Sequence, residues 1–138
     1  MFTSPGAFDS ELGDHDVNVH EGVIHLHYLS LPSHDQIGHA VSEDGLTFVP
    51  APPAVRTGEP GECDDDQIWT MHTVRNPANG VFHMYYTALS LAEHGQVQRV
   101  ALATSRDLLR WEKHPGNPVC AAAGPHYNAD LKTLGRVA

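Results

Sequence analysis

Apolar and polar positions alternate along most of this chain in short runs, broken by glycine, proline and asparagine. Alternation over four to eight residues marks a half-buried β-strand. The plainest runs lie between Asp65 and Trp111: residues 68–75, residues 80–87, and a run from Arg99 that ends at Trp111. Asn79-Gly80 between the first two is a hairpin signal, because a two-residue turn of the favoured hand needs positive φ. A fourth short run starts at Trp111. Four consecutive antiparallel strands form a meander, the unit of a β-propeller blade.

The first half repeats the pattern. Gly22-Val23-Ile24-His25-Leu26-His27-Tyr28 aligns with Gly80-Val81-Phe82-His83-Met84-Tyr85-Tyr86 at an offset of 58 residues. Residues 37–48 align with residues 100–111 at an offset of 63, so the second unit has the longer middle turn. Within that segment Ser42-Glu43-Asp44 matches Ser105-Arg106-Asp107, each followed by an aromatic residue, Phe48 or Trp111. A period of this size names the architecture: two successive blades. The predicted strands of the first are residues 14–19, 23–29, 36–42 and a short outer strand at 46–49, with turns at Glu21-Gly22 and Glu43-Asp44-Gly45 and a loop at 31–35. Pro50, Pro52, Pro53 and Pro60 are expected to exclude ladder pairing until about Asp66, leaving a linker from the rim of one blade to the axis of the next. The expected layout is a loop at 1–13, blades at 14–58 and 59–120, and an irregular tail at 121–138 with a weak helical signal at 129–134.

Composition narrows the function. A net charge of −9 without any basic cluster argues against nucleic acid. No apolar run approaches membrane-spanning length. The N-terminus shows no basic region followed by an apolar run, which points to a cytoplasmic protein. Cys63 and Cys120 are too few for a disulfide framework; one bridge is open to them, and reduced thiols are the favoured state. Eleven histidines invite a metal reading. His25 and His27 share a strand face, but no second ligand pair follows, and His25 recurs as His83, which suits a structural role. No metal and no cofactor are expected.

The residues around Asp14 and from Asp66 to Val119 resemble the five-bladed β-propeller glycoside hydrolases, families 32, 43, 62 and 68 with the related family 130. Asp14-His15-Asp16-Val17 before an aromatic and His-rich strand is similar to the family's Asp-Pro-x-Val opening, with His15 in place of proline. Asp66-Gln67-Ile68-Trp69-Thr70 before a Tyr-Tyr-Thr strand is similar to an Asp…Trp-Thr-Gly segment, with Met71 in place of glycine. The segment from Ala103 through Trp111 to His114-Pro115-Gly116-Asn117-Pro118-Val119 is the most specific part. The resemblance covers about residues 12–120. It implies an all-β fold: two four-stranded antiparallel blades of an incomplete five-bladed β-propeller.

The resemblance also implies chemistry. Glycoside hydrolysis needs two carboxyl groups flanking the scissile oxygen. Asp14 is the residue carried over as base or nucleophile; Asp16, two residues on and on the same strand face, is its rival, and both also suit turn capping. Asp66, Trp69, Thr70 and His15 are the candidate substrate-binding residues. Against that, a run of three aspartates (64–66) suits a solvated turn, and Trp69 suits packing between blades as well as a sugar platform. The family's supporting Asp and acid Glu come from later blades, and Glu62, Glu93 and Glu112 do not replace them. The expectation is therefore a glycosidase-like chain for furanosides such as β-fructosides or arabinofuranosides, truncated and inactive alone, or one that builds a ring with further copies through an open blade edge. A non-catalytic carbohydrate-binding remnant is the alternative. A phosphorylase, for which Arg75 is the only support, ranks last. WD40 and Kelch propellers lack their signatures here.

Overall fold

The computed structural model describes residues 11–121, which form two antiparallel sheets, in strand order β1-β2-β3-β4 and β5-β6-β7-β8. The first holds β1 (Glu11–His20), β2 (Val23–Leu31), β3 (Gln36–Ser42) and β4 (Val49–Arg56). The second holds β5 (Gln67–Arg75), β6 (Phe82–Leu89), β7 (Arg99–Ser105) and two short outer pieces, β8 (Glu112–Lys113) and β9 (Cys120–Ala121), both paired to β7. The fold class is as expected: all-β, two meander blades of a propeller.

Several boundaries differ. β1 begins at Glu11, inside the expected N-terminal loop, and β2 runs on through Leu31. The outer strand of the first blade is not residues 46–49 but Val49–Arg56, which contains Pro50, Pro52 and Pro53. Among the described residues its only ladder partner is β3, so it lies at the sheet edge, where a missing N–H on the outward side breaks nothing. Ala121 belongs to β9, while the helical signal at 129–134 lies outside the described residues.

The repeat is visible in the hydrogen bonds. The Ser105 hydroxyl donates to Asp107 Oδ1 (3.1 Å), and the N–H groups of Leu109 and Arg110 donate to that oxygen at 2.9 and 2.8 Å. In the first blade Ser42 donates to Asp44 Oδ1 (3.0 Å), and Leu46 and Thr47 N–H groups follow at 2.8 and 2.7 Å. Those N–H groups hold the Asp44 carboxyl down at about 2, Thr47 contributing most. The next residue of each turn is left-handed, Gly45 at φ 75° and Leu108 at φ 62°. Leu108 accepts that strain because its side chain is fully buried.

One core joins the blades. Leu29, Ile37 and Val55 of the first sheet pack against Ile68, Met71, Met84, Tyr86, Ala101 and Ala103 of the second, with Trp111 half-buried beside them. Three histidines share this interface. The rings of His27 and His39 stack at 4.4 Å, His25 Nδ1 lies 3.0 Å from His39 Nε2, and His27 meets Trp111 edge-on at 5.5 Å. Among the described residues neither nitrogen of the fully buried His27 has a partner at good hydrogen-bond geometry. Burial first, then the neighbouring rings, pushes His27 down to about 3, and burial with His25 pushes His39 down to about 4.

These histidines stay neutral in the folded chain but titrate near 6.5 once unfolded, so between those values only the unfolded chain takes up their protons. Stability from this source is complete above pH 6.5. It is expected to fall by about 1.4 kcal/mol per pH unit per histidine as the pH drops toward 4. Urea unfolding at pH 7, 6 and 5 measures the slope. His27→Leu is expected to remove about one proton's worth; an unchanged slope contradicts the assignment.

Candidate functional site

β1 and β5 are the inner strands of their blades and lie side by side. Each carries a β-bulge at the equivalent place in the repeat, between Leu12 and His15 in β1 and between Trp69 and Met71 in β5. In β1, Gly13 and Asp14 stand where regular pairing would place one residue opposite Leu29; in β5, Thr70 is the extra residue. A Cβ at position 13 would lie 3.0 Å from Leu29 Cβ, so the bulge favours glycine there. Bulges re-aim side chains and are common beside active sites. These two aim at each other: the Thr70 hydroxyl donates to Asp14 Oδ2. Asp14 is otherwise exposed.

Asp16 is a different kind of carboxylate. Its side chain is only 12% exposed, and Oδ2 accepts from the Thr73 N–H of the second blade (2.8 Å) and from Asn18 Nδ2 (2.9 Å). Its Oδ1 lies 3.3 Å from His72 Nδ1. Asp16 therefore ties the blades together, whereas Asp14 keeps a carboxylate for a ligand. His15 projects to the opposite face of β1, paired with Tyr28.

The acidic run divides three ways. Asp64 is buried, and its Oδ2 receives the Tyr86 hydroxyl (2.8 Å) and Lys113 Nζ (2.7 Å). Burial, with this carboxylate beside it, raises the Tyr86 phenol far above its ordinary range. Asp65 accepts N–H groups from Gly61 and Leu91, the solvated-turn role. Asp66 makes no side-chain hydrogen bond among the described residues, and its carboxylate lies against Gly95. It precedes Thr70 by four residues, about 13 Å along a strand, so the structure does not bring it together with Asp14. Trp69 is half-buried, donates its indole N–H to Gln67 Oε1 (2.7 Å) and tilts against the His34 ring of the first blade at 5.8 Å. That is the packing role.

Other charged candidates are committed elsewhere. Arg99 pairs with both oxygens of Glu93, and Glu112 lies on the outer strand at the rim. Arg75 donates to Gly80 O (3.4 Å) and lies over the Phe82 ring. A cavity of about 560 Å³ opens among Cys63, Asp64, Lys113 and Asn117, but none of the sequence-predicted site residues lines it. Cys63 and Cys120 are unpaired. Among the described residues no helix is long and apolar enough to cross a membrane, and no cluster of three or more His, Cys, Asp or Glu has metal-site geometry. Sequence reasoning missed Thr73 and His72 as partners of Asp16; the only signal was their position in the repeat.

The division between Asp14 and Asp16 is measurable. Asp16→Ala strips the Thr73 N–H of its acceptor and is expected to cost about 1–3 kcal/mol in chemical denaturation. Asp14→Ala is expected to stay within about 0.5 kcal/mol of wild type, as an exposed position should. Equal losses would make Asp14 a structural residue.

Comparison with known proteins identifies the fold and the family. The family described as "Glycosyl hydrolases family 32 N-terminal domain" matches residues 15–132. None of the curated protein sequences matches the chain. Among solved structures, fructan 1-exohydrolase IIa from Cichorium intybus is similar at 25% identity with a TM-score of 0.71, over 88% of this chain and 23% of that one. Zg3597, a family 117 glycoside hydrolase of Zobellia galactanivorans, matches with a TM-score of 0.71 at 21% identity, over 88% and 36%. The exo-inulinase of Aspergillus awamori gives 0.62 at 22%, over 79% and 26%. The chain thus spans about a quarter to a third of the length of these proteins. With a match over most of its length, the chain belongs to the glycosyl hydrolase family 32 N-terminal domain family.

Proposed function

We propose that Asp14 is the base or nucleophile of a glycosidase site for furanosides, such as β-fructosides or arabinofuranosides, to which this chain contributes two blades. The observation that carries the reading is the bulge pair: an exposed carboxylate at the hub, held by a hydroxyl from the neighbouring blade. Such a carboxylate either attacks the anomeric carbon or activates a water. The second carboxyl then stands about 5–5.5 Å away in the first case and about 6.5–9.5 Å away in the second. Asp16 is too committed to serve as that acid, and Asp66 stands just before β5, about 13 Å along the chain from Thr70. The acid is therefore expected from blades beyond these two, and the chain by itself is expected to bind a saccharide without cleaving it.

The solved structures support a carbohydrate ligand: a point variant of the Cichorium enzyme has been determined in complex with 1-kestose. For this chain, 1-kestose is expected to shift the amide resonances of residues around Asp14 and Thr70, with the shifts lost in Asp14→Ala and no fructose released on prolonged incubation. Shifts confined to other regions contradict the site. Fructose released by the purified chain contradicts the need for a further acid.

A further inference from the structure

The two inner strands meet on successive rungs. Thr70 reaches Asp14, and two residues further along both strands His72 reaches Asp16. The second rung takes an unusual route. Met71 packs toward the first blade, and Thr73, two residues on, shares its face. His72 pairs with Tyr85 and projects from the opposite face. Its ring nevertheless returns to the first blade, where Nδ1 lies 3.3 Å from Asp16 Oδ1. The ladder with β6 closes one edge of β5, so the ring passes round the other edge, the one beside β1 at the hub. His72 is thereby a hub residue, on the same edge of β5 as the hydroxyl that holds Asp14. About 7 Å of strand separates positions 70 and 72.

The ring is anchored at one end and unengaged at the other. Asp16 is itself fixed by the Thr73 N–H and by Asn18 Nδ2. The His72 side chain is 73% exposed despite this anchor, and among the described residues Nε2 has no hydrogen-bond partner. A carboxylate only accepts, so the proton on that side belongs to Nδ1 and Nε2 is left for a ligand. An ion pair this exposed contributes little to stability, so folding gives little reason for a histidine here.

We infer that His72 binds a hydroxyl of the saccharide held at Asp14, with Asp16 setting the orientation of its ring. The inference rests on the glycosidase reading of the hub and adds a residue to that site. A sugar hydroxyl both donates and accepts, so it matches Nε2 with or without a proton on that nitrogen. The two rungs stand at a separation that one sugar ring with its hydroxyls bridges, with Asp14 at the reacting carbon and His72 to the side.

Titration of the full 138-residue chain with 1-kestose tests this. It is followed in the imidazole Cε1–H and Cδ2–H resonances of His72, assigned by their loss in His72→Gln, and in the amides of Asp14 and Thr70. Both sets are expected to shift with a single dissociation constant. His72→Ala is expected to weaken binding roughly 3- to 10-fold, the loss of one hydrogen bond. His72→Gln keeps a donor and an acceptor and is expected to bind within about 2-fold of wild type. Shifts at Asp14 and Thr70 with unmoved His72 ring resonances overturn this inference and leave the glycosidase site standing. His72→Ala binding as tightly as wild type does the same. Equal weakening in His72→Ala and His72→Gln would replace the hydroxyl contact by a packing role, and overturns it too. A wild type in which nothing shifts overturns both this inference and the reading beneath it.

Discussion

The apolar contact between the two sheets is the constraint on which the rest depends. Ile37, Ile68 and Met84 are fully buried, and Tyr86 nearly so, while Ala101 and Ala103 keep β7 bare enough for the first sheet to approach. Truncating one of the large side chains here removes about 2–5 kcal/mol, a large part of the 5–15 kcal/mol typical of a domain. This contact sets β1 beside β5. Their bulges meet only because the faces behind them lock, so the geometry at Asp14 is a consequence of packing some distance away.

The two blades show what a repeat keeps and what it changes. The Ser-x-Asp turn is kept hydrogen bond for hydrogen bond, with a left-handed residue after it in both copies. The faces diverge: a fully buried His27 stands where the other blade has an exposed Tyr85. The hub diverges most usefully. Equivalent bulge positions hold Asp14 in one blade and Thr70 in the other, an acceptor and its donor. Two identical blades would place two carboxylates, or two hydroxyls, against each other.

Much of this fold was legible in the sequence because alternation and glycine-bearing turns report directly on strands. Glu21 and Gly22, for example, both take positive φ, as a two-residue hairpin requires. The prolines of β4 misled because the sequence does not say which strand lies at an edge. Asp14 and Asp16 could not be told apart by alternation, since a bulge leaves no mark in the spacing and Thr73 lies 57 residues away. The aspartate run read as one feature, yet its three members divide among a buried pair with Lys113, a turn cap and an unengaged carboxylate. Contacts over such separations decide the roles, and they exist only once the blades have packed.

Native-state hydrogen exchange tests the interdependence of the blades most directly. If one core holds both, the slowest amides of β2 and β3 share a single opening free energy with those of β6 and β7, and Ile68→Ala lowers both by the same amount. Loss of protection in β6 and β7 with β2 and β3 untouched would mean that the blades fold separately and that their packing does not set the geometry at Asp14.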